Sequence, residues 1–302
     1  NYLDQDNLEN KINIKKINND YSLKGISFNI NKIIEKILEP NTKKKLSIFN
    51  SNFRLNFDIK KIYFDENHIT KNLSGYLFLK NNSISELNLK SKFKDNKDIK
   101  LTIKTNGDEK ITTLFSNEAK PLVDRYKFIK GFNEGSLDFY SIKKNNKTKS
   151  AIKIYDFKLK ELPALTKLLT LASLQGIADL LSGEGIRFNE FEMNFTNEGK
   201  LMTIDEIYAI GPAISILMEG YIEKDNLISL RGTLVPATTI NKTISSIPIL
   251  GSILVGEKVG EGVFGVSFKI KGPPKKLETS VNPIKTLTPR FITRTLEKIK
   301  QN

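Results

Sequence analysis

The chain of 302 residues has no cysteine, no tryptophan and one histidine, His68. Without cysteine there is no disulfide, thiolate metal site, iron–sulfur cluster or cysteine nucleophile. A lone histidine removes multi-histidine metal sites and leaves His68 as the sole candidate for a histidine-dependent triad. Arginine is scarce as well, occurring only at Arg54, Arg125, Arg187, Arg231, Arg290 and Arg294. Long apolar runs are missing: Ile247–Val255 is interrupted by Pro248 and Gly251 and falls far short of the roughly 20 residues that span a bilayer. The chain opens at Asn1 with neither a methionine nor a signal peptide. The expectation is a piece of a longer protein with its targeting information upstream.

What is present is a large apolar fraction, 39%, enough for a substantial core and too much for wholesale disorder. The length suggests about two domains. Lys and Arg number 48 against 34 Asp and Glu, a net charge of +14. Almost all of it is lysine, spread through the chain together with asparagine and isoleucine. Nucleic-acid binders cluster their basic residues and add arginine forks or stacking aromatics. The even spread therefore speaks against a nucleic-acid partner, and the charge suits anionic lipid headgroups better.

Period two dominates from Phe53 to Phe157. Phe53-Arg54-Leu55-Asn56-Phe57-Asp58-Ile59 and Leu101-Thr102-Ile103-Lys104 alternate apolar with polar, the pattern of strands with one face of each kind. Turn clusters at 65–67, 80–83, 95–98, 106–109 and 143–147 predict an antiparallel meander. Residues 117–128 read as a short helix. From Pro163, the apolar spacing of Leu165, Leu168, Leu169, Ala172, Ile177, Leu180 and Leu181 predicts an amphipathic helix over 163–181, with a possible break near Gly176. The alternation then resumes at Phe191/Met193/Phe195, Ile214/Ile216/Met218, Leu230/Leu234 and Phe264/Val266/Phe268/Ile270. Helices are further expected at 240–254 and 289–300. The domain reading is 1–50 unassigned as the continuation of an upstream β region, 51–160 meander, and 161–302 as a C-terminal region carrying the helices. Apolar strand faces this extensive must be covered. A second sheet would give a sandwich or closed barrel, whereas a sheet curled into an open groove leaves acyl chains to do part of the covering.

Catalytic motifs are absent. Gly260-Glu261-Gly262-Val263-Phe264-Gly265 matches G-x-G-x-x-G, but the strand-like Val266-Ser267-Phe268-Lys269-Ile270 follows it. A dinucleotide fingerprint must open a helix whose N-terminus meets the pyrophosphate. His68 lies beside Asp65, Glu66 and Asn67, a grouping that reads as a hairpin tip. No pair of carboxylates stands at glycosidase spacing, and neither a P-loop nor a G-x-S-x-G occurs. The expectation is a protein that is not an enzyme, with no cofactor and no metal.

The second half carries an ordered set of short motifs: Leu162-Pro163-Ala164-Leu165, Leu171-Ala172-Ser173-Leu174-Gln175-Gly176-Ile177, Leu180-Leu181-Ser182-Gly183-Glu184-Gly185-Ile186, Ile210-Gly211-Pro212-Ala213, Leu230-Arg231-Gly232-Thr233-Leu234-Val235-Pro236-Ala237 and Ile247-Pro248-Ile249-Leu250-Gly251. Gly272-Pro273-Pro274 and Ser280-Val281-Asn282-Pro283 close it. In this order they resemble the AsmA-like C-terminal region, in particular the YhdP-type members of the AsmA/TamB superfamily, over roughly 160–290. The resemblance is weaker upstream, at Ser116-Asn117-Glu118-Ala119 and Gly131–Leu137.

It implies a mainly β fold: a long antiparallel meander curled into an open, taco-like groove with a few short amphipathic helices near the C-terminal end. It also implies a C-terminal fragment of a periplasm-spanning protein, anchored in the inner membrane by an upstream helix, that conducts phospholipids between the inner and outer membranes of a Gram-negative envelope, as bridge-like lipid-transfer proteins do. The alternative is a periplasmic scaffold or outer-membrane assembly factor acting through envelope protein partners. The residues expected to face a lipid-binding groove are Phe191, Met193, Phe195, Ile214, Ile216, Met218, Leu230, Leu234, Phe264, Val266, Phe268 and Ile270. Arg290, Arg294, Lys298 and Lys300, opposite the apolar stripe of the last helix, are expected to meet an anionic membrane surface.

Overall fold

A computed structural model describes residues 2–3, 8–31, 52–64, 67–81, 83–125, 131–160, 163–172, 174–236, 265–274 and 276–284. Among them the alternating segments form sixteen strands in one sheet, ordered as in the chain and each hydrogen-bonded to the next. The first is a two-residue stub, and the sheet does not close into a barrel. This is the mainly β meander that the alternation predicts, and of the coverings it left open, the open sheet is the one the AsmA-like resemblance implies. The chain divides into two compact units, Asn1–Arg125 with Gly135–Ser150, and Tyr126–Glu134 with Ala151–Asn302. Tyr2–Leu3, Glu9–Ile17 and Asp20–Asn29 pair into the first unit's ladder.

In the first unit the strands are β1 (Tyr2–Leu3), β2 (Glu9–Ile17), β3 (Asp20–Asn29), β4 (Phe53–Tyr63), β5 (Ile69–Lys80), β6 (Ser83–Lys92), β7 (Asp98–Asn106), β8 (Glu109–Ser116) and most of β9 (Asn133–Lys144). One pair breaks the antiparallel rule: β3 and β4 run parallel, with Leu23 opposite Phe57 and Gly25 opposite Ile59. Parallel neighbours need a connection that returns to the edge where the first strand began, and residues 30–52 supply its length. Leu23, Phe28, Ile59, Ile62 and Leu73 form the core here, flanked by Ile12, Leu55, Phe57 and Leu89. The hairpin tips take left-handed residues at Asn18, Asn81, Gly107 and Asn145, the residue types that tolerate positive φ in two-residue turns.

In the second unit the strands are β10 (Lys147–Leu159, from Ala151 on), β11 (Ile186–Glu198), β12 (Leu201–Ile210), β13 (Ile214–Glu223), β14 (Leu227–Pro236), β15 (Gly265–Gly272) and β16 (Glu278–Ile284). Each neighbouring pair from β11 to β16 is antiparallel. Gly265 opens a strand, which disposes of the dinucleotide reading of its glycine motif. Phe132, Phe157 and Phe188 form a ladder of parallel rings with centroids 5.3 Å apart at each step, all three buried.

Three helices are described: α1 (Lys120–Val123), α2 (Pro163–Leu171) and α3 (Gln175–Ser182). The expected helix over 163–181 is thus two. The break lies before Gly176, at Leu174, which leaves helical geometry (φ −101, ψ 47) and whose N–H donates to Leu169 O at 2.8 Å. Leu165, Leu168 and Leu169 of α2 and Ala178 and Leu181 of α3 are buried, so both halves keep the predicted apolar stripe. The helix expected over 117–128 is the single turn α1, begun by Pro121 in its first turn. The helices expected at 240–254 and 289–300 lie outside the described residues.

Candidate functional site

Residues directly opposite across antiparallel strands project from the same face of a sheet. Register therefore shows, one row at a time, which of the expected residues share a face. In the second unit one row runs Phe191–Ala209–Ile216–Leu234–Val266, the next Met193–Ile207–Met218–Gly232–Phe268, and a third Phe195–Ile204–Gly220–Leu230–Ile270. Ile214, two residues before Ile216 and opposite Pro236, shares that face. Eleven of the twelve expected residues thus fall on one face of five adjacent strands. The twelfth, Phe264, lies outside the described residues, as do Arg290, Arg294, Lys298 and Lys300.

Three members of this face carry no clean signal in the sequence: Ile204, Ile207 and Ala209. Ile204 and Ile207 are three apart, which simple alternation sends to opposite faces. A bulge at Asp205–Glu206, where two residues oppose Glu219, returns both to the apolar side. The ladder signals the same bulge on its other side, between Asn194 and Phe195.

Burial divides the face. Ile204, Ile207, Ala209, Ile214, Leu234, Val266, Phe268 and Ile270 are all buried. Phe191, Met193, Phe195, Ile216, Met218 and Leu230 are only half-buried. The first set behaves as ordinary core and the second as an apolar wall still partly open. Gly232 sits between them for a steric reason: a Cβ there would lie 2.4 Å from Leu217 O and 2.6 Å from the Phe268 ring.

The opposite face of the same strands is polar at mid-strand. Arg231 donates to Glu219 from Nη2 at 2.6 Å and from Nε at 2.9 Å, and Lys153 pairs with Glu192 at 3.4 Å. A depression of about 320 Å³ on this side is lined by Leu217, Glu219, Arg231, Thr233, Ser267 and Lys269 among others. It is partly open, and its one arginine is already matched by the Glu219 carboxylate.

The first unit repeats the two-faced pattern, although no groove residue was expected there. Leu23–Phe57–Gly75–Leu89–Leu101–Leu114–Phe139 form one row across seven strands. Leu55–Leu77–Leu87–Ile103–Thr112–Ser141 form the next. The reverse face carries Asn56, Tyr76, Asn88, Thr102 and Thr113 in register, with the Thr102 and Thr113 hydroxyls 2.5 Å apart. The signal for this face was the alternation itself.

Among the described residues no group of three or more His, Asp or Glu side chains is placed to hold a metal ion, and none of the described helices is long and apolar enough to cross a membrane. His68 sits at a β-hairpin, where its carbonyl accepts from Phe64 N–H at 2.9 Å. Compared with known proteins, the chain matches no family model, no curated protein and no solved structure.

Proposed function

We propose that the chain is part of a lipid-conducting protein of the AsmA type, in which the apolar sheet faces shield acyl chains from water. One observation carries the reading: the register gathers the alternating apolar residues of β11–β15 onto a single face, and six of them remain half-buried. Acyl chains gain about 0.8 kcal/mol for each CH₂ taken out of water. The β11–β15 wall of aliphatic, aromatic and thioether side chains supplies that without a charged group of its own to hold a headgroup fast, which suits passage better than storage. The motif order over 160–290 supports the family, and with it the periplasm, the inner- and outer-membrane endpoints and phospholipid as cargo.

The test is native mass spectrometry of the purified chain, followed by organic extraction and lipid identification. Co-purified phospholipid that is lost from Met193→Asp and Ile216→Asp, both at half-buried positions, supports the wall. A folded chain free of lipid refutes it. The eight buried members of the face favour a second reading, a scaffold whose sheet is packed internally and acts through envelope proteins. A lipid-free outcome selects that one.

A further inference from the structure

The antiparallel strands β8 and β9 carry two adjacent lysine-bearing rows of opposite character. On the polar face Lys144 lies opposite Glu109 and pairs with it at 3.1 Å, with Asp108 at 3.8 Å. On the apolar face the next row is Thr105–Lys110–Lys143. Two like charges directly opposite each other destabilise a ladder, and no carboxylate pairs with either among the described residues. Inward from them the same face shows the hydroxyls of Thr112 and Ser141, then Leu114 and Phe139. The order along the face is therefore two cations, two hydroxyls, then hydrocarbon.

We propose that Lys110 and Lys143 form an anion site at the rim of the first unit's apolar face, which takes the phosphate head of an amphiphile whose chains lie on the leucine rows beyond. Complementarity supports it at both ends of such a ligand. A lysine at a rim lays its methylene stem on apolar surface and keeps its ammonium at the edge, and a phosphate between the two lysines replaces repulsion with charge-assisted hydrogen bonds. The Lys110 ammonium is held below the usual lysine range, first by burial and then by the charge of Lys143, so it gains from an arriving anion. The site rests on the reading of the apolar faces as acyl-chain walls.

The experiment is calorimetric titration of the chain with monomeric dihexanoylphosphatidylglycerol, dihexanoylphosphatidylcholine and inorganic phosphate, repeated on Lys110→Gln/Lys143→Gln. The substitutions relieve a repulsion, so folding is retained, and a thermal melt checks it. The expected result is about tenfold tighter binding of the phosphatidylglycerol than of the phosphatidylcholine, as hydrogen bonds to charged groups provide. The double variant should lose that preference, because its affinity for the phosphatidylglycerol falls more than its affinity for the zwitterionic phosphatidylcholine. A preference that survives in the double variant overturns the lysine site and leaves the wall standing. Inorganic phosphate binding as tightly as the phosphatidylglycerol, and lost in the variant, overturns the amphiphile in favour of a free-anion site. No binding of either lipid overturns the wall and the site together.

Discussion

Gly220 is the position where the apolar wall of the second unit is most exposed to a one-atom change. It lies in β13 between Ile204 and Leu230 at φ +147°, and a Cβ built there meets Ser229 O at 2.1 Å and Leu230 Cα at 2.9 Å. Both obstacles are backbone of the neighbouring strand, so no rotamer change removes them. Separations under 3.0 Å are essentially never seen for a real Cβ, so β14 would have to retreat by about 0.9 Å at this point. A non-glycine residue in this region of φ costs about 1–3 kcal/mol in backbone strain alone, and with the displaced ladder Gly220→Ala should cost about 3–4 kcal/mol. Gly199→Ala is the control: its φ of +61° is also left-handed, but nothing lies within 4 Å of the added carbon, so about 1 kcal/mol is expected. Urea unfolding of both variants, read by far-ultraviolet circular dichroism, compares them directly. Equal losses would show that the close approach at Gly220 is not a constraint and that the wall's spacing there is soft.

Gly176, inside α3 with open space around its missing side chain, should behave the other way, and Gly176→Ala should stabilise by about 0.5–1 kcal/mol on the same assay. Phe188→Ala removes the end ring of the Phe132–Phe157–Phe188 ladder and leaves a cavity in buried surroundings, so it should cost about 3–5 kcal/mol; a loss below 1 kcal/mol would mean the ladder carries no packing. Arg231→Ala, by contrast, breaks an ion pair whose arginine side chain is 72% exposed, and the loss should stay within about 1 kcal/mol. Lys110→Gln should raise stability at pH 7. Its folded pKa is depressed, so the wild-type penalty is full below that pKa and fades as pH climbs towards the ordinary value of 10.5. The gap between variant and wild type, measured by urea midpoints at pH 7 and pH 10, should therefore narrow with rising pH.

Much of this fold could be read from the sequence because the strands are long and their faces differ. Where alternation is unbroken, as from Phe53 to Ile59 or from Val266 to Ile270, the register confirms the expected face residue by residue. The sequence reading fails where one residue departs from ideal geometry. Asp205–Glu206 shifts the phase of β12 and hides Ile204 and Ile207 from any period-two count. Leu174 splits a helix whose apolar spacing runs straight through the break. The parallel pairing of β3 with β4 leaves no local mark, since a strand's own residues look alike in either ladder. Lys110 and Lys143 are two lysines among many until the ladder sets them face to face.

The two functional readings differ in what each demands of half-burial. A sheet packed internally as a scaffold gains about 25 cal/mol for each Å² of apolar surface removed from water, and has no reason to leave its central residues part-open. Leu234, Val266, Phe268 and Ile270 meet that demand at 1–8% exposure. Met193 and Met218 do not, although they share a row with Phe268 and sit at mid-strand. An edge effect cannot account for them, because strands flank β11, β12 and β13 on both sides. Both are methionines, whose unbranched, polarisable side chains adapt to surfaces of changing shape. A wall that must touch one acyl chain after another calls for residues of that kind where a packed core favours branched ones. On the proposed lipid-conducting reading, the buried positions of the face would hold the strands together and the half-buried ones, Met193 and Met218 among them, would be left for the cargo.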